Sequence, residues 1–333
     1  MHSDFAIRRL VYGFCLLLSS LLGSTWPLQT HAQQWSMASA YPATNFQTQN
    51  IQQFIDEVKA ATGGKLVIAL HPGQSLVTMP QIKRAVRSGQ VQLGEIMLSA
   101  YGNEDPFFEV DSIPVLSQGH EKARRLWAVS KPYVEKRLRA EGLEPLFSVV
   151  WPSQGFYTKK PIASLSDLKG VKFRAYNPVT SRMATLIGAI PTTVQQAEVS
   201  QAFATGIIDS MVTSAMTGLE TQAWDFVSHY YDVRVINNKN IVLVNEKALS
   251  SLDAATRNAV LEAARKAEAR GWVASGKLMD DVTRQLAAKG IEVVQPTPKL
   301  NMELKKIGET MTAEWLKKSG PDGKAMLDAY LAQ

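Results

Sequence analysis

Hydrophobic and polar positions along this chain switch between a strand period and a helix period from end to end, with no repeat and no low-complexity tract. Trp35 to Ala40 reads as a first strand, and Thr48 to Ala61 carries a helical pattern that stops at Thr62-Gly63-Gly64. "GKLVIAL" places a second strand at Lys65 to Leu70, followed by a helix around Met79 to Arg87 and a third strand at Val91 to Met97. This alternation predicts an α/β lobe with a largely parallel sheet. In such sheets ligands sit beyond the carboxyl ends of the strands. That position directs attention to "SAYPATN" and "LSAYGNED", and nominates Tyr41, Asn45 and Ser99.

A helical stretch from about Glu121 to Ala140, broken or kinked before Pro132, leads into an apolar strand that ends near Trp151. From Ser164 a second alternating set begins, with helices around Ser181 to Ile187 and Gln195 to Ala204. Its first strand lies within "SDLKGVKFRAYNPVT", where Val171, Phe173 and Ala175 face one side and Lys172, Arg174 and Tyr176 the other. By periodicity alone Arg174 is either the wet side of an amphipathic strand or a cation aimed at something. A third section runs from "NIVLVNEKAL" to the C-terminus. Between Asp253, a good N-cap, and Gly290, a good stop, only Gly271 and Gly276 interrupt the helical pattern. A continuous helix over 253–289 spans roughly 55 Å, longer than one lobe, and would tie two lobes together. The alternative is two shorter helices kinked near those glycines.

The N-terminal pattern bears on compartment. Arg8 and Arg9 precede an apolar run from Leu10 to Leu22, and Thr30-His31-Ala32 is a small-x-small cleavage pattern. These features predict a signal peptide over 1–32, cleaved near Ala32, and a periplasmic mature chain; an uncleaved anchor is the alternative. The single cysteine, Cys15, falls inside that segment, so the mature chain would have no disulfide, thiolate zinc site or cysteine nucleophile. Removing Arg8, Arg9 and Asp4 from 36 basic and 30 acidic side chains leaves a net charge of +5. That charge is spread along the chain and forms no nucleic-acid arm or membrane patch.

Motifs for catalysis are scarce. No H-E-x-x-H, G-x-S-x-G, G-x-x-x-x-G-K or G-x-G-x-x-G occurs. His71, His120 and His229 do not lie at metal-ligand spacing from one another. The acidic group Glu104, Asp105, Glu109 and Asp111 fits no calcium loop, because Phe107 and Phe108 interrupt it and the central glycine is missing. A solvated loop is the plainer reading. The pattern favours a binder over an enzyme, with no cofactor and no metal.

The middle of the chain then becomes recognisable. "KKPIASLSDLKGVKFRAYN" followed by "LIGAIPTTVQQAEVSQAFATGIIDSMVT" resembles the solute-binding proteins of TRAP transporters, the periplasmic C4-dicarboxylate-binding family. Pro161, Ile162, Ser164, Asp167, Leu168, Lys169, Gly170, Lys172 and Arg174 match its first block. Gly188, Ala189 and Pro191 match the second, and Glu198, Ala202, Gly206 and Asp209 the third. "DPFFEVDSIPVL", "VNEKAL" and the long helix extend the likeness over the mature chain.

The resemblance implies a two-lobed α/β periplasmic binding protein fold, with a ligand cleft between the lobes and a long helix spanning both. Lobe I would hold 33–153 with about 240–270, and lobe II 154–239 with about 271–333. It implies capture of an organic acid, with delivery by a monomeric receptor to membrane-embedded TRAP permease subunits. The arginine of K-x-R, here Arg174, would bind the ligand carboxylate through paired charge-assisted hydrogen bonds. Departures accompany the matches. Where many relatives carry a second arginine this chain has Gln154-Gly155-Phe156-Tyr157, and Thr213 stands for a ligand-reaching asparagine, followed by Ser214 instead of proline. Ser200 and Ser210 replace the usual tyrosine and glycine. The ligand is therefore a dicarboxylate or a monocarboxylate with an apolar or aromatic tail, with Gln154, Trp151, Tyr157, Tyr101 and Phe156 as pocket candidates. Asp209 and Glu198 read as scaffold. A sensor subunit for a membrane kinase and an exported hydrolase or lyase are the alternative functions.

Overall fold

A computed structural model describes residues 32–333; the leader up to residue 31, with Cys15, lies outside the described residues. The first unit alternates as its sequence pattern requires: β1 (Gln33–Ala38), α1 (Phe46–Ala61), β2 (Leu66–His71), α2 (Ile82–Ser88) and β3 (Leu93–Met97). Asn45 starts α1 by accepting a hydrogen bond from the Gln47 N–H, the usual service of an N-cap asparagine. Short 3₁₀ turns then lead to α3 (His120–Ala140) and β4 (Leu143–Val150). Helix α3 runs through Pro132 as one helix, so the break expected there does not occur.

The next segment builds a second sheet: β5 (Gln154–Thr158), β6 (Lys172–Ala175), α4 (Pro178–Ile187), β7 (Ile190–Thr193), α5 (Val199–Ala204), β8 (Ser210–Ser214), α6 (Ala215–Glu220) and β9 (His229–Tyr231). Asn177 caps α4 with Pro178 at its first position, and Gly188 ends it at φ 83°, a left-handed conformation that costs glycine little. The chain then returns to the first sheet as β10 (Lys239–Asn245), continues through α7 (Glu246–Ser250) and α8 (Ala254–Ala288), adds β11 (Glu292–Val294) to the second sheet, and ends with α9 (Pro298–Leu331), which is interrupted at Gly320.

Two mixed sheets result. The first has the order β2-β1-β3-β10-β4 and the second β11-β9-β5-β8-β6-β7. The largely parallel sheet expected from the alternation is only half right: β1, β2 and β3 are parallel, while β10 runs antiparallel to both β3 and β4. The physical reason is that β10 arrives from the other sheet and not over a helical crossover, so nothing requires it to run parallel.

Two crossings between the sheets lie side by side. Residues 151–153 lead out and 232–238 lead back, and backbone hydrogen bonds join them: Trp151 N–H to the Asn238 carbonyl (2.9 Å), Gln154 N–H to that of Ile236 (3.0 Å), and Val235 N–H to that of Gln154 (2.9 Å). Helix α8 is continuous through Gly271 and Gly276. Its first half packs on the first sheet, with Asn50 Nδ2 on the Ala267 carbonyl and the Trp272 indole on that of Ser148. Its last turns, through Val282 and Leu286, enter an apolar cluster with Tyr157, Met211 and Tyr230 of the second sheet. The fold is thus the two-lobed α/β arrangement with a long helix spanning both lobes.

Candidate ligand-binding site

Arg174 belongs to β6, whose register pairs it with Met211 of β8. Alternation puts Thr213, two residues on, on the same face. The side chain of Arg174 is not on a wet face: it is 3% exposed. Its Nε donates to the Val194 carbonyl at 3.0 Å, and its guanidinium carbon sits 5.2 Å from the centre of the Tyr176 ring. Among the described residues its two terminal nitrogens have no hydrogen-bond partner and no carboxylate lies within ion-pair distance. The other two deeply buried bases do have acids: Lys83 meets Glu104 and Glu141, and Lys239 meets Asp111 at 2.6 Å. Burial pulls the Arg174 guanidinium down to about 10, with Tyr176, Tyr41 and Glu198 acting against it, so it remains cationic at neutral pH. A buried cation without a counter-charge is costly. An anionic guest would relieve that cost.

The guanidinium lines a cavity with Tyr41, Trp151, Gln154 and Thr213, five of the ten residues nominated from sequence. One wall is aromatic. The Trp151 and Tyr41 rings lie 5.0 Å apart, and Phe46 meets Trp151 edge-on at 5.3 Å. The polar tips of both wall residues are held by one acceptor: the Trp151 indole donates to Asn240 Oδ1 at 2.9 Å and the Tyr41 hydroxyl to the same atom at 3.4 Å. Asn240 is oriented in turn by its Nδ2, which donates to Glu95 Oε1 at 2.7 Å. Gln154 is fixed at both ends, donating to Asn238 Oδ1 (2.9 Å) and accepting from the Tyr176 hydroxyl (2.6 Å). Thr213 has a hydroxyl with no hydrogen-bond partner among the described residues. The cavity therefore offers a cation, a hydroxyl and flat ring faces.

Five nominated residues lie elsewhere. Tyr157 is fully buried, its hydroxyl on the Ser214 carbonyl at 3.2 Å and its ring 4.7 Å from Tyr230. It pairs with Met211, below the cleft end of β8; Arg174 starts at that level too, and only its length brings its charge to the cavity. Tyr101 lines a more open depression beside the cavity, where its hydroxyl donates to the Met79 carbonyl. Asn45 and Ser99 make contacts between the lobes instead of lining the cavity. Phe156 packs on Phe173 in the core.

The acidic group is not one solvated loop: Glu109 and Asp111 are buried, and each of the four acids meets a different base, Lys83, Arg137, Lys318 or Lys239. Asp209 pairs with Lys159, and Glu198 accepts the Gln195 N–H. Sequence reasoning missed Met79, Met97, Gln195, Gln196 and Thr217 among the lining residues. The only signal for them was position at the ends of strands and helices.

Residues 37–319 match the profile of the bacterial extracellular solute-binding proteins, family 7. The chain belongs to that family. Its members are extracytoplasmic solute receptors of TRAP systems and not enzymes. Among solved structures, the chain is similar to DctP7 of Bordetella pertussis, an extracytoplasmic solute receptor binding pyroglutamic acid, at 47% identity and a TM-score of 0.89 over 90% of this chain and 100% of that one. DctP6 of the same organism, also described as binding pyroglutamic acid, is 44% identical with a TM-score of 0.89 over the same shares. A TRAP solute-binding protein from an unidentified marine metagenome microbe, solved with co-purified pyroglutamate, is 40% identical with a TM-score of 0.89, over 91% of this chain and 99% of that one.

Proposed function

We propose that this chain captures a small monocarboxylic acid of the pyroglutamate type through a salt bridge to Arg174 and delivers it to TRAP permease subunits. The observation that carries this reading is the buried Arg174 guanidinium, which has unpaired donors facing the cavity and no acid of its own. One free cation suits one carboxylate; a second carboxylate would meet no second base in the cavity lining. Pyroglutamate adds a flat lactam ring, and the Trp151 and Tyr41 faces suit its apolar carbons. Thr213 could bond its polar edge. The three relatives at 40–47% identity that bind pyroglutamate support the same ligand class.

Thermal unfolding with L-pyroglutamate, L-proline, succinate and lactate tests the reading. Ligand at about 100 times its dissociation constant adds about 2.7 kcal/mol to the folded state. L-Pyroglutamate should raise the melting temperature and succinate should not. Arg174→Ala removes one partner of a buried charge pair, a loss of about 2–5 kcal/mol, and should cut the stabilisation at the same concentration to about 0.9 kcal/mol or less. An unchanged affinity in Arg174→Ala removes the salt bridge from the reading. Uptake of labelled acid by cells carrying permease subunits, lost when this chain is deleted, tests delivery.

A further inference from the structure

Two asparagines, one from each lobe, are built alike. Asn45 caps α1 in the first lobe with its Oδ1 on the Gln47 N–H (2.8 Å), and its Nδ2 crosses the cleft to Glu220 Oε1 at 2.7 Å. Asn177 caps α4 in the second lobe with its Oδ1 on the Thr180 N–H (2.7 Å), and its Nδ2 crosses to Ser99 Oγ at 2.8 Å. Each side chain thus spends its acceptor on its own helix and its donor on the opposite lobe. The two acceptors are themselves fixed. Glu220, at the end of α6, takes a second amide from Gln196, a residue of the cavity wall, at 2.7 Å, and Ser99 is fully buried. Helix capping alone does not need asparagine, since serine and aspartate cap equally well. Only asparagine among the good caps also carries an amide donor long enough to reach across.

We propose that Asn45 and Asn177 are reciprocal latches that hold the lobes closed over the ligand, positioning residues that set its residence time without touching it. This rests on the binding function proposed above. Because the latches form only when the lobes meet, their loss acts on ligand escape and not on encounter. The two cross-cleft bonds together are worth roughly tenfold or more in dissociation rate.

The test separates capping from latching. Asn45→Asp keeps a cap but puts a carboxylate against Glu220, and Asn177→Ser keeps a cap but cannot reach Ser99. Stopped-flow tryptophan fluorescence with L-pyroglutamate should show the double variant releasing ligand about tenfold faster or more, with its association rate within about threefold of the parent. Its melting temperature without ligand should stay within a few degrees. Ser99→Ala, which removes the acceptor of Asn177 and leaves both capping hydrogen bonds intact, should reproduce part of the faster release if the double variant folds poorly. An unchanged dissociation rate in these variants overturns the proposal. If the parent chain does not take up pyroglutamate, the functional reading fails separately. X-ray scattering without ligand then decides the latch: a larger radius of gyration in the double variant supports it, and identical profiles overturn it.

Discussion

Glu95 is 1% exposed on β3 and takes hydrogen bonds from Ser39 Oγ (2.5 Å) and Asn240 Nδ2 (2.7 Å). Burial still dominates and raises its carboxyl from 4.5 to about 7. In the unfolded chain the proton leaves near the ordinary value, whereas the folded chain holds it to about 7. Between those limits the native state binds more protons, so stability falls as pH rises, and the loss is complete above about 7. The shift corresponds to roughly 3 kcal/mol. Glu95→Gln mimics the protonated acid and should flatten that slope, so its stability relative to the parent should climb between pH 4.5 and 7 and then level off. Urea unfolding at a series of pH values measures this; a difference independent of pH would mean that the carboxyl stays ionised in the fold. Lys239 and Asp111, paired at 2.6 Å, make a second test at this scale. Lys239→Met strands a buried carboxylate and should cost about 3–5 kcal/mol in the same assay. Neither pair was legible in the sequence, because "LGEIM" and "KNIVLVN" read as apolar strands and burial of a charge leaves no periodic trace. Arg174 was legible only through its matching motif: alternation left open whether it was the wet side of a strand or a cation aimed at something, and the cleft that buries it includes residues far away in the chain, such as Tyr41.

At the level of elements, the two glycines of α8 carry opposite expectations. Glycine in a helix interior is normally improved by alanine, by up to about 1 kcal/mol. A Cβ at Gly276 would meet the His120 ring at 3.4 Å, an ordinary contact. At Gly271 it would overlap Val149 and the Asn50 amide, where α8 crosses β4 and α1. Gly276→Ala should therefore stabilise by about 0.5–1 kcal/mol and Gly271→Ala destabilise by about 1–3 kcal/mol, read by chemical denaturation. The same sign for both would remove close packing as the reason for Gly271. The length of α8 was legible because Asp253 and Gly290 mark its ends and its apolar positions never lose phase. Helix α9 was not, since "SGPDG" reads as a break, and in the structure the chain does leave helical geometry at Gly320 before resuming. The antiparallel β10 was hidden for another reason: a strand's own pattern says which faces it buries, and nothing about the direction of its neighbours.

For the whole molecule, the arrangement of connections decides what binding can move. The paired crossings at 151–153 and 232–238 and helix α8 join the lobes, while the cavity draws Tyr41 from one lobe, Trp151 from the start of a crossing, and Arg174 and Thr213 from the other lobe. A ligand held by Arg174 against the aromatic wall bridges both lobes and stabilises their contact. Hydrogen exchange should then slow, on addition of saturating L-pyroglutamate, at both cleft edges together: the start of α1 around residues 42–48 and the segments 193–199 and 213–220 across from it. Amides in the first turns of α9, which lie outside the cavity lining, should keep their rates. Protection confined to 193–199 and 213–220 would place the acid on the second lobe alone, with Arg174 as a one-sided anchor and no closure. Protection on both edges together is the outcome that closure requires, because the two edges are joined directly across the cleft, by Asn45 Nδ2 at the start of α1 on Glu220 Oε1 at the end of α6.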